Sequence, residues 1–162
     1  MGAEDAGPQP RAPRIEDLVA LCRGLNAAAA RYSVIGGFAV NLHGYVRGTM
    51  DIDLLIDPSD ENVRKVKAAL SGLADNAAAD VADDDVRTHA VVRVADEVVV
   101  DLMAKACGVD VEQALKNGLS REIDGVPIPY PDAATLIATK DTVRPKDHQD
   151  VHFLRLKLAE GA

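Results

Sequence analysis

Ile35-Gly36-Gly37-Phe38-Ala39-Val40, followed by Arg47-Gly48-Thr49-Met50-Asp51-Ile52-Asp53-Leu54, is the stretch on which the reading of this chain turns. Tyr32–Ile35 is a short run of β-formers that ends in two glycines, and Phe38–Leu42 suits a short helix. Glycines between a strand and a helix leave backbone N–H groups bare. They have two readings: a tight turn, or a cradle for phosphate. Met50–Ile56 alternates as a strand, with Ile52, Leu54 and Ile56 on one side and Asp51, Asp53 and Leu55 on the other. Two carboxylates two residues apart on a strand leave the same face and repel unless a cation lies between them. They suit Mg²⁺, a hard ion held by one or two carboxylates plus substrate phosphates. The plainer reading is a half-buried strand with surface acids.

Asp101 ends the β-branched run Val98-Val99-Val100. A carboxylate in such a strand is costly unless paired or bound to metal. If that strand lies beside the Asp51–Asp53 strand, three carboxylates converge in a two-metal arrangement for in-line phosphoryl transfer. A strand-end acid capped by a turn is the alternative. Arg47 and Thr49 share the alternation of Asp51 and Asp53. Arg47 could hold a phosphate or pair with Asp51 or Asp53; Thr49 could simply fill the strand.

Outward from this stretch, residues 1–14 carry prolines and glycines without apolar periodicity and are expected to be a flexible tail, with one domain over 15–162. Ile15, Leu18, Leu21, Cys22 and Leu25 recur at helical spacing. Ser59 is an N-cap for a helix bearing Val63, Val66 and Leu70. Asp75–Asp85 is expected to be a loop. Residues 89–94 and 98–103 read as a hairpin turning at Ala95-Asp96-Glu97, and Asp124-Gly125 marks a second. Pro131-Asp132 opens a helix running through Lys140, Pro145 interrupts, and a last helix holds Val151 to Leu158. Helices interleaved with strands give a mixed α/β fold: a twisted mixed sheet flanked by helices.

The 162 residues carry 18 Lys and Arg against 26 Asp and Glu, a net charge of −8. Bulk charge therefore does not recruit nucleic acid; an anionic partner must meet a local basic spot or a metal ion. Lys140 to Lys157 is the one stretch with a positive balance, and Lys140 and Arg144 share a face if their helix continues. An ion-pair network of Arg144 and Lys146 with Asp147 and Asp150 is the alternative to phosphate contact. Two cysteines without a CxxC give neither disulfide framework nor zinc site. His148 and His152, four apart, lack a third ligand. No stretch has membrane-spanning length, so a cytoplasmic protein without a membrane partner is expected.

The pattern Ile35-Gly36-Gly37, thirteen residues, Asp51-Ile52-Asp53-Leu54, with a later third acid at Asp101, resembles the signature of the DNA polymerase β-type nucleotidyltransferase superfamily. Taken with His43-Gly44, Arg47-x-Thr49 and the distal Lys140-x-x-x-Arg144-x-Lys146-Asp147-x-x-Asp150, it is similar to the small bacterial nucleotidyltransferases, AbiEii-type toxins among them. The resemblance implies a minimal mixed-sheet fold of the polymerase β kind. It implies Gly36 and Gly37 around the triphosphate of an NTP, and Asp51, Asp53 and Asp101 as ligands of two Mg²⁺ ions. Asp101 would also act on the acceptor hydroxyl, and Lys140 and Asp147 would be the distal site residues. Many members carry Gly-Ser; here Gly37 replaces the serine, so its phosphate contact passes to backbone N–H or elsewhere. The acceptor stays open between tRNA, an antibiotic-like small molecule and a protein. An antitoxin partner would accompany the first. A non-catalytic nucleotide-binding or interaction module on the same scaffold is the alternative.

Overall fold

Two β-rich segments distant in sequence lie side by side at the centre of the protein, and the rest of the chain is arranged to hold them there. The structure is a computed structural model and describes residues 9–160. In chain order the elements begin α1 (Ile15–Ala27), β1 (Tyr32–Ile35), α2 (Gly36–Leu42), β2 (Ile52–Ile56) and α3 (Asp60–Leu70). A 3-10 turn (Ala77–Asp80), α4 (Asp85–Thr88), β3 (Val92–Ala95), β4 (Val99–Met103), β5 (Lys105–Ala106) and β6 (Val109–Asp110) follow. The chain continues with α5 (Val111–Lys116), β7 (Leu119–Ile123), β8 (Val126–Tyr130), α6 (Ala133–Ala138) and α7 (Pro145–Ala159).

The architecture is mixed α/β. Its main sheet has the order β1-β2-β4-β3; β1 and β2 are antiparallel, β2 and β4 parallel, β3 and β4 antiparallel. Ile52, Leu54, Leu55 and Ile56 are all fully buried, so β2 is covered on both faces, as a central strand must be. A parallel neighbour requires a crossover. Here α3 begins it. Ser59 caps α3 through the Asn62 N–H at 3.3 Å, and Val63, Val66 and Leu70 are fully buried. Asn62 itself accepts from the Arg31 N–H (2.7 Å) and donates to the Arg31 and Asp57 carbonyls (3.0 and 2.8 Å), tying α3 to the approach of β1. α1 packs on α3, with Gly24 against Ala69, and buries Leu18, Leu21, Cys22 and Leu25. Burial pushes the Cys22 thiol up to about 11, which makes it an inert core group.

Four sequence expectations are corrected. The β3–β4 turn is Asp96–Val98, one residue later than expected, and pairs Ala95 with Val99. Asp75–Asp85 is not plain loop. Buried Asp96 accepts from the N–H groups of Asp75 (2.8 Å), Ala77 (2.7 Å) and Glu97 (2.7 Å) and orders a 3-10 turn there. α6 stops at Ala138, so Lys140 lies beyond it and shares no helical face with Arg144. Pro145, expected as an interruption, stands in the first turn of α7, where its missing N–H costs nothing.

The hairpin at Asp124-Gly125 forms with both residues at positive φ (51° and 79°), the two-residue turn that suits twisted strands. Residues 1–8 of the expected tail lie outside the described residues. At Arg11 the chain is fastened: its N–H donates to the Glu97 carbonyl at 3.0 Å and its guanidinium forks onto Asp17 with two contacts of 2.7 Å. Among the described residues no helix is long and apolar enough to cross a membrane.

Candidate active site

The parallel register of β2 and β4 sets Asp53 opposite Asp101. Asp51 immediately precedes β2. One carboxylate oxygen from each of Asp51, Asp53 and Asp101 lies within 4.8 Å of the others, a spacing that could hold a metal ion. Asp101 is only 6% exposed, so its charge is held in a poorly solvated place. Burial, and then the charges of Asp51 and Asp101, push the Asp53 carboxyl up to about 7.

Gly36 and Gly37 face this cluster. α2 begins at Gly36 rather than at Phe38. Gly36 has φ +69°, a conformation that side chains resist, and a Cβ there would overlap the Asp53 carboxylate, 2.9 Å from its Cγ. A Cβ on Gly37 would lie 2.7 Å from Thr49 Oγ1 and 3.1 Å from Arg47 Nη1. Both glycines thus let the backbone approach groups that a side chain would displace. Gly36, Gly37, Arg47, Thr49, Asp51, Asp53, Asp101, Lys140 and Asp147 all line one cavity of about 480 Å³, within the usual range for small-molecule sites.

The basic wall differs from expectation. Arg47 and Thr49 lie in the irregular segment before β2, not on the strand. Arg47 pairs with neither Asp51 nor Asp53. Its Nε and Nη2 fork onto Asp150 (2.8 and 2.6 Å), and Nη1 donates to the Gly48 carbonyl (2.8 Å). Thr49 Oγ1 donates to the Asp51 carbonyl at 3.0 Å, shaping the approach to the acids rather than filling a strand.

Asp150 is fully buried and also meets Lys140 Nζ at 3.0 Å. Burial alone would raise its pKa, but the bonds from Arg47 and Lys140 outweigh it and hold the carboxyl below the usual range. Lys140 Nζ is 3.7 Å from Asp147, which accepts from Thr142 Oγ1 (2.5 Å) and Arg144 Nε (2.8 Å). The expected network therefore exists only at Arg144–Asp147. Asp150 serves Arg47 and Lys140 instead, and Lys146 lines the cavity without an ion pair among the described residues.

Sequence reading missed Arg93. β3 sets it directly opposite Asp101. Its guanidinium contacts Asp101 twice at 3.0 Å and Asp51 at 3.3 Å. The hairpin held the signal, but placing the turn one residue early puts Val91, not Arg93, opposite Asp101.

Nearby aromatic and histidine side chains have structural partners. Tyr45 stacks on Phe153, ring centroids 4.9 Å apart. His43 closes α2 and meets the Pro131 carbonyl at 2.9 Å. His148 meets the Thr142 carbonyl at 2.7 Å, and among the described residues the acidic triad is the one group of three or more metal-ligating side chains. The chain matches no protein-family model and no curated protein.

Proposed function

We propose that this chain is a divalent-metal-dependent nucleotidyltransferase on a polymerase β-like scaffold, related to the small bacterial AbiEii-type enzymes. The observation that carries the reading is the meeting of Asp51, Asp53 and Asp101 at a cavity that Gly36 and Gly37 also line. An all-oxygen donor set of three acids fits Mg²⁺ by the chemistry of its ligands. Asp51, Asp53 and Asp101 would hold the ion or ions. Bound there, Mg²⁺ would neutralise phosphate charge and favour the ionised acceptor oxygen.

The chain's own groups supply the rest. The backbone at Gly36 and Gly37, bare of side chains, receives the triphosphate. Arg47, pinned by Asp150, and Lys140 present positive charge on the same cavity without needing to reorient. Asp101 takes the proton from the acceptor hydroxyl. The acceptor oxygen then bonds to the α-phosphorus while the bond from that phosphorus to the bridging oxygen of the β-phosphate breaks. A nucleoside monophosphate is left on the acceptor and pyrophosphate departs.

The direct test incubates the protein with each NTP, Mg²⁺ and three classes of acceptor: tRNA, cationic antibiotic-like small molecules, and protein hydroxyls. Acceptor mass and released pyrophosphate are measured. A nucleotide adduct that disappears in both Asp51→Asn and Asp53→Asn is expected. Tight NTP binding by calorimetry without pyrophosphate release in any arm would assign the scaffold to binding alone.

A further inference from the structure

The acidic triad and Arg93 form one charge cluster. Arg93 Nε donates to Asp101 Oδ1 and Nη2 to Asp101 Oδ2, each at 3.0 Å, and Nη2 also reaches Asp51 Oδ2 at 3.3 Å. Both oxygens of Asp101 are therefore engaged by a single guanidinium. Among the described residues no other Lys, Arg or His lies within ion-pair distance of the three acids. The two arginines on the cavity are held differently. Arg47 has a side chain 16% exposed and forks onto a fully buried acid. The Arg93 side chain is 60% exposed and projects from β3 over a nearly buried one. A fork on a surface arm is released at small cost, because water takes over the donors it gives up.

Three carboxylates with an oxygen each within 4.8 Å of the others repel unless a positive charge lies among them. Arg93 supplies one charge from the side, and its donors use the lone pairs that an ion between the acids would use. We infer that Arg93 is the resident counter-ion of the triad and competes with the metal, so that metal binding breaks its bonds to Asp101 and Asp51 and swings the guanidinium aside. The inference rests on the metal-binding reading above and adds to it a device that sets how tightly the ion is held. The displaced guanidinium remains on the wall of the same cavity, where its donors face the anionic substrate.

The test is Mg²⁺ titration by calorimetry, without nucleotide, of the wild type, Arg93→Gln, Arg93→Lys and Lys146→Gln. Lys146 lines the same cavity but makes no ion pair among the described residues, so it controls for general charge. Arg93→Gln is expected to bind Mg²⁺ roughly three- to tenfold more tightly than the wild type. Arg93→Lys, which keeps the charge but not the fork, falls between them, and Lys146→Gln shifts affinity by less than either. Equal or weaker binding by Arg93→Gln, with the wild type binding, overturns this inference and leaves the proposed function standing. A gain in Lys146→Gln as large as that in Arg93→Gln also overturns it, since bulk charge would then suffice. Absence of binding in all four proteins overturns both.

Discussion

Gly36 shows how much of the site depends on one missing side chain. Its φ of +69° and its contact with Asp53 act together: any Cβ both strains the backbone and displaces a carboxylate. Gly36→Ala is expected to lose roughly 1–3 kcal/mol of stability from the backbone alone. Mg²⁺ binding should disappear with it. Gly125→Ala, at φ +79° with open space around it, is expected to cost about 1 kcal/mol and leave Mg²⁺ binding intact. Urea denaturation and calorimetry on the two variants separate strain from site geometry. At this scale the glycines and the acid pair were legible because their spacing is local. Arg93 was not, because its place opposite Asp101 depends on the hairpin turn, and a turn displaced by one residue changes every partner along the ladder.

At the scale of elements, α7 belongs to the site. Asp150 on α7 holds Arg47 and Lys140, which come from two other parts of the chain. Removing one member of a buried ion cluster leaves uncompensated charge. Asp150→Ala is expected to destabilise the fold by about 3–5 kcal/mol, read as a fall in the urea midpoint. The pH dependence has a definite sign. The Asp150 carboxyl sits below its ordinary value of 3.8 in the folded protein, so its contribution is fully present above that value and is lost as pH falls through the lower folded value. Asp150→Asn should therefore be destabilised at neutral pH and show a shallower loss of stability in acid than the wild type. Helix existence was legible here, but the break between α6 and α7 was not. Apolar periodicity does not say where one helix stops when a second begins seven residues later, and the Arg47–Asp150 pair is 103 positions apart with no local signal.

For the whole molecule, the mixed α/β class was readable from strands alternating with helices. The order β1-β2-β4-β3 was not, because strand adjacency is decided by which faces pack together rather than by pattern. That order creates the cluster of acids. A ligand that binds the folded state alone adds stability by mass action, about 2.7 kcal/mol at a hundredfold excess over its dissociation constant. Millimolar Mg²⁺ is expected to raise the Tm of the wild type and to leave that of Asp53→Asn unchanged, a comparison that scanning calorimetry makes directly. A monovalent salt control matters for a chain of net charge −8, because screening alone relieves repulsion.

The parallel pairing of β2 with β4 carries a kinetic consequence. Asp53 and Asp101 are brought together across a long crossover and against their mutual repulsion, so their contact is expected to form late in folding. On that expectation, an ion held between them would have nothing to grip in the transition state. Mg²⁺ should therefore slow unfolding in a stopped-flow chevron and leave the refolding limb where it was.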